Sequence, residues 1–317
     1  MPATITHAYF GYDVYNKVDN KVKNKVNLDR VMMFGQGPDP LMFYFSNKSI
    51  RKLQKDAHNK KTKDYFINLL EYIKENKLYD EDVYSYVFGT ICHYVLDSTT
   101  HPYICYKSGH FEKKKPNTYK YNNRHAFMEV FIDNYMVKTR EKINPYKFNI
   151  RKFCFDTRKF SNKLNSVIDN SYYKTYKVKD MGNIYYKSTK YMKLSLSLFR
   201  KDRFGIKKFF YKLIDTFTPR SVFRFEAVSY HYPLKTKRDY LNSKHELWRN
   251  PIDYDLTSTD SFIELYIKAL KEAKYIIEEV FKYLDNKDIN LDELFDNRSY
   301  ITGLNCDIKK ELKYFEF

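Results

Sequence analysis

The sequence predicts an all-α protein. Glycine and proline are scarce, with 8 and 9 in 317 residues, so turn signals are too few for many short strands. The long stretches between them carry apolar residues at helical rather than alternating spacing. Hydrophobic residues make up 43% of the chain, enough to fold around a core. The length suits one mostly helical domain over 1–317, with 141–317 adding helices and a segment that could cover a site formed by 1–140.

Taken in order, residues 6–20 form the first expected helix, with Thr6 as its N-cap before His7. The run 35–40, GQGPDP, breaks both periods and reads as a loop. Residues 50–76 read as one helix, with Phe66, Leu69, Leu70, Tyr72 and Ile73 on its apolar face. Residues 81–99 read as a buried helix lined by Val83, Tyr86, Val87, Ile91, Tyr94 and Val95, and Pro102 limits its extension. A basic, polar loop over 107–120 leads into a helix over 121–140. Weaker helical patterns follow near 157–168, 186–199 and 206–217. The segment 219–254 holds Pro219, Pro233 and Pro251 and is expected to be irregular. A long amphipathic helix is expected over 259–284, capped by Thr257 or Ser258.

The formal net charge is +18, with a pI near 9.4. Such a field attracts phosphodiesters, acidic lipid surfaces or nucleic acid, although lysines spread over a solvated surface give the same total. The abundance of Tyr and Phe, 32 and 25, fits nucleotide bias in the encoding genome. Cys92, Cys105, Cys154 and Cys306 form no CxxC pair, which excludes a zinc knuckle and a dithiol redox motif. Free thiols suit a reducing compartment. The opening MPATITHAYF lacks the pattern of a signal peptide, and no stretch of about 20 apolar residues predicts a transmembrane helix. These features point to a cytoplasmic protein.

The chemistry lies in the first half. Six of the eight histidines, His7, His58, His93, His101, His110 and His125, fall within the first 125 residues. In HYVLDSTTHP, His93 and Asp97 are four apart and His101 lies one further turn on, so all three project from one helix face. RHAFMEVFID repeats the spacing with His125 and Glu129, and Asp133 continues the face. Imidazole and carboxylate are the ligands zinc takes when no thiolate is used. A single pair of this kind is commonly a structural tie between helix turns. Two pairs on neighbouring helices would converge on one cavity. Asp133 is expected to orient a ligand imidazole from behind. His110, in the lysine-rich loop, reads as exposed. DYLNSKHELWRNP holds His245 and the single Trp248, read either as packing over the site mouth or as a folding anchor.

The ordered set THAYFGYDVY with His7, GPDP with Asp39, DAHNKKTKDYF with His58, HYVLDSTTHP and RHAFMEVFID resembles the zinc-dependent phospholipase C family, over residues 6–133. That family shares a helical trinuclear site with the single-strand-specific zinc nucleases. The resemblance implies an all-α bundle with the metal site between helices. It implies that Asp39, His58, His93 and Asp97 hold one zinc, that His101, His125 and Glu129 hold a second, and that His7 and Asp97 hold a third. Two departures stand out. There is no leader whose removal exposes a tryptophan, and Asp97 lies closer to His101 than in the secreted toxins. A two-metal site is therefore an alternative to three. An HD-type phosphohydrolase is disfavoured, because no His-Asp dipeptide occurs.

The expected activity is zinc-dependent phosphodiester hydrolysis of the phospholipase C type, acting on a phospholipid or other phosphodiester. Asp39 is the candidate to orient or deprotonate the attacking water, or is a ligand only. The alternatives are a single-strand nuclease on the same metals, which the charge and aromatics would suit, and a non-catalytic, zinc-stabilised protein that docks peripherally on acidic membrane.

Overall fold

The computed structural model describes residues 4–200, 202, 204–219, 224–231 and 236–316. Among them it is all-α, with one two-stranded hairpin. The helices are α1 Thr4–Lys17, α2 Asn20–Lys23, α3 Leu28–Phe34, α4 Lys48–Asn59, α5 Thr62–Glu75, α6 Glu81–Ser108 and α7 Arg124–Glu141. They continue with α8 Ile150–Cys154, α9 Asn162–Tyr176, α10 Met181–Arg200, α11 Ile206–Phe217, α12 Phe262–Leu284 and α13 Leu291–Leu294. Antiparallel β1 Trp248–Asn250 and β2 Asp253–Ser258 form the hairpin.

The long helix α6 is the axis of the molecule. Apolar residues surround it on all sides, as expected of a helix buried all round. It packs against α1, α3, α7, α12 and β1. Asp80 caps it by accepting the Val83 N–H at 2.8 Å, and Glu81 and Asp82 complement the positive end of its dipole. Its 28 residues run through Pro102, which the sequence reading places as a limit. Proline cannot donate to the carbonyl of Ser98 four residues back. That carbonyl meets a close neighbour instead: a Cβ built on Gly303, whose φ is +67°, would lie 2.5 Å from the Ser98 oxygen. A C-terminal loop thus covers the gap in the helix ladder.

The single helix expected over 50–76 is two helices. The chain breaks at Lys61, which adopts the left-handed conformation at φ 54°. The break exposes the last carbonyls of α4, which have no partners within the helix. One of them, on His58, accepts the Tyr300 N–H at 2.8 Å. Thr62, just past the break, donates its hydroxyl to the Arg298 carbonyl at 2.9 Å. Segments far apart in the sequence are joined there.

The cap of α12 is neither Thr257 nor Ser258, which lie in β2. Ser261 and Glu264 form a reciprocal capping box instead. The expected irregular segment 219–254 lies partly outside the described residues. Its described part includes β1 and a 3-10 turn at Phe225–Val228. Much of the aromatic excess serves the core. Tyr65, Tyr86 and Tyr185 are all buried, and Tyr185 donates its hydroxyl to the Gly37 carbonyl at 2.7 Å, pinning the GQGPDP turn.

Candidate metal centre

All eight sequence-derived donors meet at one place between α1, α4, α6, α7 and the 3-10 turn Asp39–Phe43. They form three groups whose donor atoms lie within 4.8 Å of one another: His7, His93 and Asp97; Asp39, His58 and His93; and His101, His125 and Glu129. Asp97 is the hub. Its carboxylate lies 3.1 Å from His7 Nε2, 3.1 Å from His93 Nε2, 3.2 Å from His101 Nδ1 and 3.8 Å from His58 Nε2. Glu129 Oε1 joins the third group, 2.8 Å from His125 Nε2 and 3.4 Å from His101 Nε2.

Backbone contacts aim the rings. His58 Nδ1 lies 2.7 Å from the Gln54 carbonyl, and His93 Nδ1 lies 3.1 Å from the Gly35 carbonyl. A carbonyl only accepts, so both Nδ1 atoms carry the proton and both Nε2 lone pairs point inward. The two Nε2 atoms then face each other at 3.5 Å. Two lone pairs at that distance repel unless a cation or a proton lies between them. Asp39 Oδ2 and Asp97 Oδ2 are buried without a hydrogen bond. Orphaned carboxylate oxygens beside neutral imidazoles form a donor set that fits zinc.

Electrostatics keeps these carboxylates charged. Burial favours the neutral form of Asp97, but the imidazoles of His101, His93 and His7 outweigh it and hold its carboxyl well below the ordinary range. Burial likewise opposes the charge on Asp39, and His58 and His93 reverse the balance, lowering it. At His101 burial lowers the pKa, but Asp97 and Glu129 prevail and push it to about 10. At His93 burial wins and the pKa falls.

His7 is placed by Asp133. That buried carboxylate on α7 accepts the Ile5 N–H at 3.1 Å, the Thr6 N–H at 2.8 Å and the Thr6 hydroxyl at 2.8 Å. Thr6 therefore lies inside α1 rather than capping it, and Asp133 serves the first turn from another helix. Asp133 also accepts the Tyr230 hydroxyl at 2.9 Å. It acts on the site through the backbone of α1 and not on an imidazole as expected. On the other side of the cluster, Gly37 sits at φ +49°, and a Cβ there would lie 2.3 Å from His93 Cδ2. Only glycine lets the turn approach the ring so closely.

The donors open onto a cleft of about 420 Å³. Asp39, His58, His101, His125 and Glu129 line its metal-facing part, and Met42, Cys105, Ile301 and Leu312 give it apolar walls. His110 lines it too and is half-buried, so the expectation of an exposed residue is corrected; burial lowers its pKa. Gln54 and Lys55 complete the rim. Both precede His58 by one helical turn, a spacing that could have revealed them; Gln54 also donates to Asp39 Oδ1 at 3.1 Å. No local signal marks Ile301 or Leu312. Tyr300 packs its ring against His58 and His93, with centroids 5.1 and 5.5 Å away. Trp248 is a folding anchor: it is buried against Tyr103, and its Nε1 donates to the Asp260 carbonyl at 3.0 Å. It lines a separate cavity with Ser98 and Pro102 and does not cover the cleft. His245 is exposed.

The family model for zinc-dependent phospholipase C matches residues 6–182, more than half of the chain. The chain belongs to the zinc-dependent phospholipase C family. That makes it a zinc-dependent hydrolase by family, with three His/Asp/Glu groups among the described residues that could hold metal. No curated protein and no solved structure matches the chain.

Proposed function

We propose that the protein hydrolyses the phosphodiester of phospholipids on a centre of two or three zinc ions, on the phospholipase C side of the phosphate. The observation that carries this reading is the sharing of donors: His93 belongs to two of the three groups, and Asp97 lies within 3.2 Å of imidazoles from all three. Asp39, His58, His93 and Asp97 would hold one ion, His101, His125 and Glu129 a second, and His7 with Asp97 a third. Zinc there would bring bound water towards neutral pKa and offset the negative charge of a phosphodiester.

The chain's own residues supply the rest. Asp39 presents its unpartnered Oδ2 while Gln54 donates to Oδ1 and holds it, so it is fixed to orient a water or accept its proton. Lys55 at the rim attracts an anionic substrate. The apolar wall of Met42, Ile301 and Leu312 suits the glycerol end of a lipid better than a polar sugar chain.

The test is hydrolysis of phosphatidylcholine and related lipids by zinc-loaded protein, with product analysis to locate the broken bond. Chelation should abolish turnover, zinc should restore it, and Asp97→Asn should lower both bound zinc and rate. Cleavage of single-stranded DNA or RNA in place of lipid would keep the metal centre and overturn the lipid reading. No cleavage of any phosphodiester by protein that carries zinc would overturn both.

A further inference from the structure

Helix α11 is amphipathic in reverse. Its sequence, IKKFFYKLIDTF, places Ile206, Phe209, Phe210, Leu213, Ile214 and Phe217 on one face at helical spacing. All six are exposed; Phe209 is 65% and Phe217 82% accessible. The side turned to the protein carries Asp215, which is buried and accepts the Phe225 and Glu226 N–H groups at 2.9 Å each. Polar contacts thus anchor the helix, and its apolar stripe is left outside. An exposed apolar face of this extent marks an interaction surface.

The charges around the stripe say what covers it. Lys207 and Lys212 fall on its two margins by helical position. On the helix itself Lys207, Lys208 and Lys212 stand against Asp215, which is buried. A second copy would bring the same basic margins together, on a chain of net charge +18, and be repelled. An anionic surface meets both the lysines and, beneath them, the aromatic stripe.

We propose that this face of α11 docks into the interface of an anionic phospholipid bilayer, with the phenylalanines at the acyl boundary and the lysines among the phosphates. The helix packs on the 3-10 turn Phe225–Val228, which packs in turn on α7, the helix that carries His125 and Glu129. One short segment therefore joins the docked face to the candidate metal centre. The proposal rests on the phospholipase reading for why a bilayer is reached, but the docking itself requires no hydrolysis.

The experiment is co-sedimentation of the full zinc-loaded chain with vesicles of phosphatidylcholine, alone or mixed with phosphatidylglycerol. The parent should partition to the mixed vesicles. Phe209→Ser/Leu213→Ser/Phe217→Ser should weaken that partitioning about tenfold or more, and Lys207→Glu/Lys212→Glu should remove the dependence on phosphatidylglycerol. Thermal melts and hydrolysis of a soluble phosphodiester should match the parent in both variants. Equal partitioning of parent and serine variant overturns the proposal. So does a parent that ignores vesicles but forms a dimer that the serine variant loses. Vesicle docking through this face by a protein that cleaves no phosphodiester would leave the proposal standing and sink the assigned activity.

Discussion

Asp133→Ala tests how the site is assembled, because Asp133 touches none of the eight candidate donors directly. The carboxylate accepts two backbone N–H groups of α1, the Thr6 hydroxyl and the Tyr230 hydroxyl, all within a fully buried environment. The hydroxyls can rotate towards other acceptors, so the two amides set the magnitude. A buried donor left without an acceptor costs about 1–3 kcal/mol. Two of them, with the lost packing, give a destabilisation of roughly 3–5 kcal/mol. Asp133→Asn keeps one carbonyl oxygen for Thr6 and turns an amide towards Ile5, so it should cost about half as much. His7 lies in this first stretch of α1, and the zinc it is proposed to hold should become the most easily lost. Urea unfolding of zinc-stripped protein isolates the packing effect from the metal, and zinc content at limiting free metal reads the effect on His7. An Asp133→Ala protein within about 0.5 kcal/mol of the parent would refute the idea that this carboxylate organises α1.

Gly37→Ala should destabilise by about 2 kcal/mol or more, from the left-handed backbone and the collision with His93, and should lower zinc content as His93 is displaced; a fully loaded variant would contradict this geometry. Ser261→Ala removes the capping box of α12 and should cost about 1 kcal/mol in a denaturant titration, with zinc content and hydrolysis unchanged. Dialysis at stepped pH should strip zinc progressively as the pH falls, because protons compete with the metal for the donor nitrogens and His101 holds its proton up to about 10 in the metal-free site; retention of all zinc at about pH 4 would argue against histidine ligation.

The legible part of this protein is what one helix displays by itself. His93, Asp97 and His101 share a face of α6 at four-residue intervals, and His125 and Glu129 do the same on α7, so spacing alone exposes them. The ladder gap at Pro102 was not legible as a tolerated one, because the Gly303 loop that covers the Ser98 carbonyl lies far along the sequence. Thr6 misleads for a related reason: its residue type suits a cap, but Asp133 from another helix serves the N–H groups there. Ile301 and Leu312 carry no local mark of a cleft wall. For α11, periodicity defines the apolar face correctly yet says nothing about which side meets water; the buried contacts of Asp215 decide that.

The docking of Tyr300 behind His58 has a consequence for biosynthesis. Every candidate metal-binding side chain, from His7 to Glu129, leaves the ribosome before the loop that backs two of them is made. About 170 further residues must follow, an interval of roughly 10–30 s at about 5–20 residues per second. In that interval the donors lack the Tyr300 ring that backs His58 and His93 in the folded protein. Closure of the loop onto α4 can come only after that interval, so the wall behind His58 and His93 is supplied by a segment made long after the donors themselves.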